Sequence, residues 1–329
     1  MKQRLRQVMA VSMATAMSLG MLSFAPKLMA EESESAASDA ETKVSYVEYD
    51  AAHYESMERL DPGREAAVRE SLKNNGKQNM KGDISLDVQL DMVGLEATIS
   101  AALSGKFSQS ETGDAGVNLD VELVVPMILE GTSKLNLEIY KVASATDAEK
   151  IDLFFRVKGK LGDEDIEELQ KTAVDKSELE EAFGKESPFE ADFLKFYVKP
   201  EAGDDIVTML VPVDELVKVL QAQDSSGESY EKSVKELEEN LEKICSIGNI
   251  SSLVLPIDLH VDAEGQVVGA EADWTNFFSL VLEAMKDQPD LAEMVSYVAF
   301  KKFSFSSHNE PADQVSIEVP EDLVAATSE

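Results

Sequence analysis

From Asp83 onward the chain alternates apolar and polar residues with a period of two, and it sustains the pattern through several long runs. Ile84, Leu86, Val88, Leu90 and Met92 fall on one face of the first run, with Ser85, Asp87, Gln89 and Asp91 on the other. A second run groups Leu95, Ala97, Ile99, Ala101, Leu103 and Phe107; a third groups Val117, Leu119, Val121, Leu123 and Val125. After Pro126 come Leu135, Leu137 and Ile139, then Ile151, Leu153, Phe155 and Val157. Successive side chains of a strand point to opposite faces, so this pattern specifies an antiparallel sheet with one apolar and one solvated face. Val93-Gly94, the Gly113–Gly116 region and Ala143–Glu149 suit hairpin connections, which predicts a meander of at least five strands. The solvated face is expected to carry Asp87, Asp91, Glu96, Lys106, Asp120, Glu122, Glu138, Asp152 and Lys158.

Helical spacing frames this sheet. "REAAVRESLKNNG" puts Ala67 or Val68 and Leu72 on one side, with Gly76 just past the end. Ile166, Leu169, Ala173, Leu179 and Phe183 recur at roughly helical intervals, and a short strand, "FLKFYVKP", ends at Pro200. A helix is expected beside Pro212, and a clearer one places Tyr230, Val234, Leu237, Leu241 and Ile244 or Cys245 on one stripe up to Gly248. A helical insertion over about 163–246 follows from these patterns. Alternation resumes at Leu253, Leu255, Ile257, Leu259 and Val261, turns at Asp262–Gly265, and continues at Val268, Ala270, Ala272 and Trp274. Phe277, Phe278, Leu280, Val281, Leu282 and Met285 then surround nearly the whole circumference of a short helix, which must be buried on all sides or touch a ligand. A strand is expected from Ala299 with Phe303 and Phe305 on one face, and a last short strand over Val315–Val319, stopped by Pro320.

The first 30 residues have the parts of an export signal: Lys2, Arg4 and Arg6, an uncharged run, and Ala30 before an abrupt acidic stretch. Cleavage is expected after Ala30, followed by a flexible acidic leader over 31–60 and a single domain over 61–329. No cysteine follows the apolar run, so lipid attachment there is not expected, and no later segment is apolar enough to span a membrane. The exported chain would carry 64 acidic against 26 basic side chains, a net charge of −38. That field repels nucleic acid and anionic membrane surfaces, leaving calcium or cationic cell-wall components as the charged partners to consider. Hydrophobic residues make up 43% of the sequence, and a chain this long buries roughly 75% of the surface it exposes when unfolded. Cys245 is the sole cysteine, so packing and not a disulfide must hold the fold, and a monomer is expected.

Catalytic signatures are lacking: the sequence has no G-x-S-x-G, no H-E-x-x-H, no phosphate loop and no zinc-type cysteine pair. His53, His260 and His308 stand in three separate segments, and His260 alternates away from Leu259 and Val261 toward solvent. With 64 acids, a glycosidase-like carboxylate pair can always be proposed and so carries no information. The expectation is a protein without enzymatic activity, metal or cofactor.

The helix "REAAVRESLKNNGKQNMKGD" leads into long amphipathic strands; a helical insertion, the hairpin "IDLHVDAEGQVVGAEADW" and an aromatic strand follow, closing on Ile317-x-Val319-Pro320-Glu321. This order of elements resembles the LolA/LppX-like superfamily of secreted bacterial proteins, in its uncharacterised Gram-positive branch. The resemblance covers about Arg64 to Val324. It implies an α+β fold, a strongly curved antiparallel sheet (a half-barrel) with helices packed on the concave side, and a lipid or other hydrophobic ligand held between them. Either the helices fill the concave side, or they leave a groove that the small Ala97 and Ala101 would widen. In a groove the ligand would meet Leu86, Val88, Leu90, Ala97, Ile99, Leu119, Val121, Leu153, Phe155, Phe277, Phe278 and Val281. The alternative is an extracellular structural or interaction module with a filled core, binding cell-wall or surface components.

Overall fold

The structure is a computed structural model and describes residues 47–74, 78–92, 97–126, 131–177, 193–199, 205–213, 253–286 and 296–325. The expected export signal, the hairpin at Val93-Gly94 and the Tyr230–Cys245 stripe lie outside the described residues.

Eleven strands form one antiparallel sheet: β1 (Met80–Met92), β2 (Ala97–Gln109), β3 (Ala115–Val124), β4 (Thr132–Ala143), β5 (Lys150–Leu161), β6 (Glu164–Asp175), β7 (Lys195–Val198), β8 (Ile206–Pro212), β9 (Val254–Val261), β10 (Val267–Asp273) and β11 (Val298–Pro311). Their order is β6-β5-β4-β3-β2-β1-β11-β10-β9-β8-β7, so two meanders meet where β1 pairs with β11. The sheet is curved and open, without closure into a barrel. The register carries the period-two pattern from strand to strand. One transverse row reads Val198, Val207, Leu259, Ala270, Ser307, Ile84, Gly105, Leu119, Leu137 and Val157. The expected apolar face is therefore a single surface crossing nearly the whole sheet.

Two of the described helices rest on the β8–β11 half of that face. In α2 (Pro62–Asn74; α1 is the short turn Ala51–Tyr54), Val68 and Leu72 join Val207, Leu259, Val267 and Ala270 in one core. Asp61 starts α2 by accepting from the backbone N–H of Gly63 and Arg64 at 2.8 and 3.2 Å, with Pro62 at the position where its missing N–H costs nothing. The apolar helix α3 (Thr275–Lys286) packs Phe277 and Leu280 against Tyr49 and Leu255.

Four expectations need correction. Residues 164–175, read as helical, form strand β6: backbone pairing with β5 outweighs a spacing of Ile166, Leu169 and Ala173 that gives no continuous apolar stripe. A register shift between Val267 and Gly269 turns Val267, not Val268, into the core. Val315–Val319 forms no strand; the helical turn α4 (Glu321–Val324) follows Pro320. The leader expected over 31–60 is part of the fold from Val47, because Tyr49, Tyr54 and Leu60 are buried.

Curvature demands close approach between strands. Gly105 faces the apolar side between Ile84 and Leu119, where a Cβ would collide with the Asn118 carbonyl oxygen and the Leu119 Cα. Gly113, in the β2–β3 turn, adopts φ +86° with open space around it. Gly105→Ala is expected to cost about 3 kcal/mol by overpacking against backbone, and Gly113→Ala about 1 kcal/mol. Urea unfolding of the two variants checks this; the reverse order would remove the role given to Gly105.

Candidate functional site

Nine of the twelve residues expected to line a ligand site lie in the sheet, and the register places all nine on its apolar face. Leu86 stands between Leu103 and Phe305, Val88 between Ala101 and Phe303, and Leu90 between Ile99 and Phe300; Ala97 faces Met92. Leu119 and Val121 continue the surface on β3, and Leu153 and Phe155 carry it to β5. Leu119 and Phe155 are fully buried, whereas Leu86, Val88, Leu90, Ala97, Ile99, Val121 and Leu153 are half-buried. The face is thus packed in its middle and partly open toward one end of β1 and β2.

Helix α3 reaches this surface through one aromatic stack. The Phe278 ring lies 4.3 Å from that of Phe303 and 5.2 Å from that of Phe300, the cross-strand partners of Val88 and Leu90. Phe277 turns away into the core with Tyr49, their rings 5.5 Å apart. Val281 belongs to α3, but its side chain lies outside the described residues. Phe300 went unnoticed in the sequence because a bulge in β11 breaks strict alternation: Gln89 pairs with Lys302 and Leu90 with Phe300, skipping Lys301. The three-then-two spacing of phenylalanines in "FKKFSF" is the signal of that bulge.

The opposite face holds a second candidate. Ser104, Asp120, Glu122, Lys134, Asn136, Lys158, Asp165 and Glu167 surround a trough of ≈ 950 Å³ across β2–β6. Asn136 donates to Asn118 Oδ1 at 2.8 Å and to Asp120 Oδ1 at 3.1 Å. Lys134 bridges to Glu122 at 2.5 Å, and that hydrogen bond holds its ammonium above the usual lysine range. Both signs of charge occur here on exposed side chains.

Next to the trough the face expected to be solvated is covered. Glu138 and Asp152 are buried, not wet: Asp152 pairs with Lys171 of β6 at 3.5 Å, and beside Glu138 the chain beyond β11 crosses this side, with Ile317 over Gly116 beside Tyr140, Leu323 fully buried and α4 resting on β5 and β6. Arg156, on β5, donates to Glu138 at 2.5 Å and to Asp322 of α4 at 2.6 Å. Burial first, and the Glu138 charge second, raise the Tyr140 hydroxyl above the usual tyrosine range. His260 and His308 also share this face, both in register with Gly269; the His260 side chain is only 13% exposed, so it is not the solvent-facing residue expected. Among the described residues no group of three or more His, Cys, Asp or Glu could hold a metal ion, and no helix is long and apolar enough to cross a membrane.

No family model, curated protein or solved structure matches the chain.

Removing the Arg156 charge should strand Glu138. Arg156→Met is expected to destabilise by about 3 kcal/mol, and Glu138→Leu in the same chain to restore most of it. Asp322→Asn, at a half-exposed carboxylate, should cost under about 1 kcal/mol. A double-mutant cycle by chemical denaturation measures all three.

Proposed function

We propose that the protein is an exported, non-enzymatic carrier or receptor for a lipid or another hydrophobic molecule, held against the apolar face of the sheet. The observation that supports this most is the half-burial of Leu86, Val88, Leu90, Ala97, Ile99 and Val121 on a face whose described helices gather on the other half. An acyl chain covering about 300 Å² there would gain roughly 7 kcal/mol before the entropic cost of binding. Phe278, stacked on Phe300 and Phe303, is the side chain that would flank the ligand from the helix. An open, curved antiparallel sheet is also the architecture expected of the LolA/LppX-like superfamily, to which the order of elements points. Native mass spectrometry after gentle purification should detect a bound lipid, and the purified chain should take up a fluorescent acyl probe. A lipid-free spectrum together with no uptake would rule the proposal out.

The trough on the polar face supports a second reading, an interaction module for cell-wall or surface components. Its charged walls would make binding salt-sensitive: retention on isolated cell wall should fall at least tenfold between about 0.05 M and about 0.5 M salt. Retention unchanged by salt would exclude the trough as the contact.

A further inference from the structure

The apolar face carries two buried polar side chains that find no partner. Ser307 and Asn309 lie two residues apart on β11, each 2% exposed, and Ser307 Oγ, Asn309 Nδ2 and Asn309 Oδ1 accept or donate no hydrogen bond. The register fixes their direction. Ser307 sits between Ile84 and Ala270, in the row of core residues that crosses the sheet, and Asn309 sits opposite Gly82, with the Phe107 ring occupying the place a Gly82 side chain would take. Ile84 belongs to the core under β1–β5 and Ala270 to the core under α2, so the pair stands where the two cores meet. Buried amides and hydroxyls in folded proteins are almost always hydrogen-bonded, and three unpaired atoms in one spot point to a partner that the chain itself does not supply.

We infer that Ser307 and Asn309 anchor the polar end of the hydrophobic ligand, and that this end is uncharged: a hydroxyl, ester or amide on an acyl or similarly apolar body. This rests on the apolar face being the ligand site. The chemistry of the surroundings selects the neutral class. The amide offers two donors and an acceptor and the hydroxyl offers a donor and an acceptor, so the pair serves an ester carbonyl that only accepts as well as a hydroxyl or amide that also donates. Their neighbours on this face, Gly82, Ile84, Ala270 and Phe305, bring no charge. A carboxylate or phosphate placed there would be desolvated with nothing to neutralise it, whereas an alcohol or ester exchanges water for protein at little cost. A fatty acid or a phospholipid headgroup is therefore the wrong end group for this spot.

Binding of glycerol monolaurate and of laurate to the full chain at neutral pH tests the inference, since the two share one acyl chain and differ only in the head. The monoester is expected to bind at least about tenfold more tightly. Asn309→Leu should abolish that preference while leaving the melting temperature unchanged or raised, because it removes an amide without a protein partner. Ser307→Ala, a smaller change that keeps the fold should Asn309→Leu lose it, should reduce the preference about threefold. Equal binding of both lipids by the unaltered protein would overturn the inference and leave the hydrophobic-ligand reading standing. A variant that melts lower with the preference intact would also overturn it, assigning the amide to ordered water. Binding of neither lipid would overturn both.

Discussion

The pairing of β1 with β11 is the contact on which everything else depends. The two strands lie more than 200 residues apart in sequence, yet they run side by side from Met80–Pro311 to Met92–Val298. Each of the other strand pairs joins neighbours in the chain order of one meander. Only this pair joins meander to meander. A slip of one residue would turn Phe303 and Phe305 toward the polar side and break every transverse row of the apolar face. Local hairpins can form early at small entropic cost, whereas this closure must wait for the long intervening chain; the penalty for that loop grows only slowly with length.

An open sheet leaves two edges, and the chain treats them differently. On β6 the edge is blunted by charge: Glu164, Asp165, Glu167 and Glu168 crowd one end, and the apolar Leu169 is largely exposed. A like-charged edge repels a second copy of itself, which is one way natural sheets avoid pairing on through another molecule. At β7 the edge is covered. Residues 58–60 lie along it, with the Leu60 N–H donating to the Phe196 carbonyl and the Val198 N–H to the Glu58 carbonyl at 2.9 Å. The same acidity that blunts β6 also hid it in the sequence, because neither face of the strand is apolar enough to show a period of two.

What could be read in advance follows from this physics. Where one face is buried and the other more open, as in β1 to β3, alternation revealed strand and face together. Helices α2 and α3 were legible from spacing and from Gly and Pro at their ends. Failures came where backbone geometry or distant packing decided. Bulges shifted Val267 and Phe300 onto the core by one residue each, and no local pattern announces a strand's lost step except an odd spacing of large side chains. Glu138 looked solvated because its alternation is right; what buries it is a segment more than 170 residues later. Ser307 and Asn309 continue the inward parity of Phe303 and Phe305, but nothing in "SFSSHNEP" announces that their polar groups find no partner.

Buried polarity bears on function where the chain leaves it without a partner. On the polar face, the buried Glu138 carboxylate meets Arg156, which in turn ties down Asp322 of the closing segment, so the interaction is spent on holding the chain together. On the apolar face, Ser307 Oγ and the Asn309 amide have no hydrogen-bond partner. Each unpaired buried group costs about 1–3 kcal/mol, a large share of the 5–15 kcal/mol by which a domain is typically stable. A partner arriving from solution would recover that loss on binding. Occupancy would then raise the stability of the folded chain by mass action, and more steeply for a ligand that satisfies the pair than for one that merely covers the hydrocarbon around it.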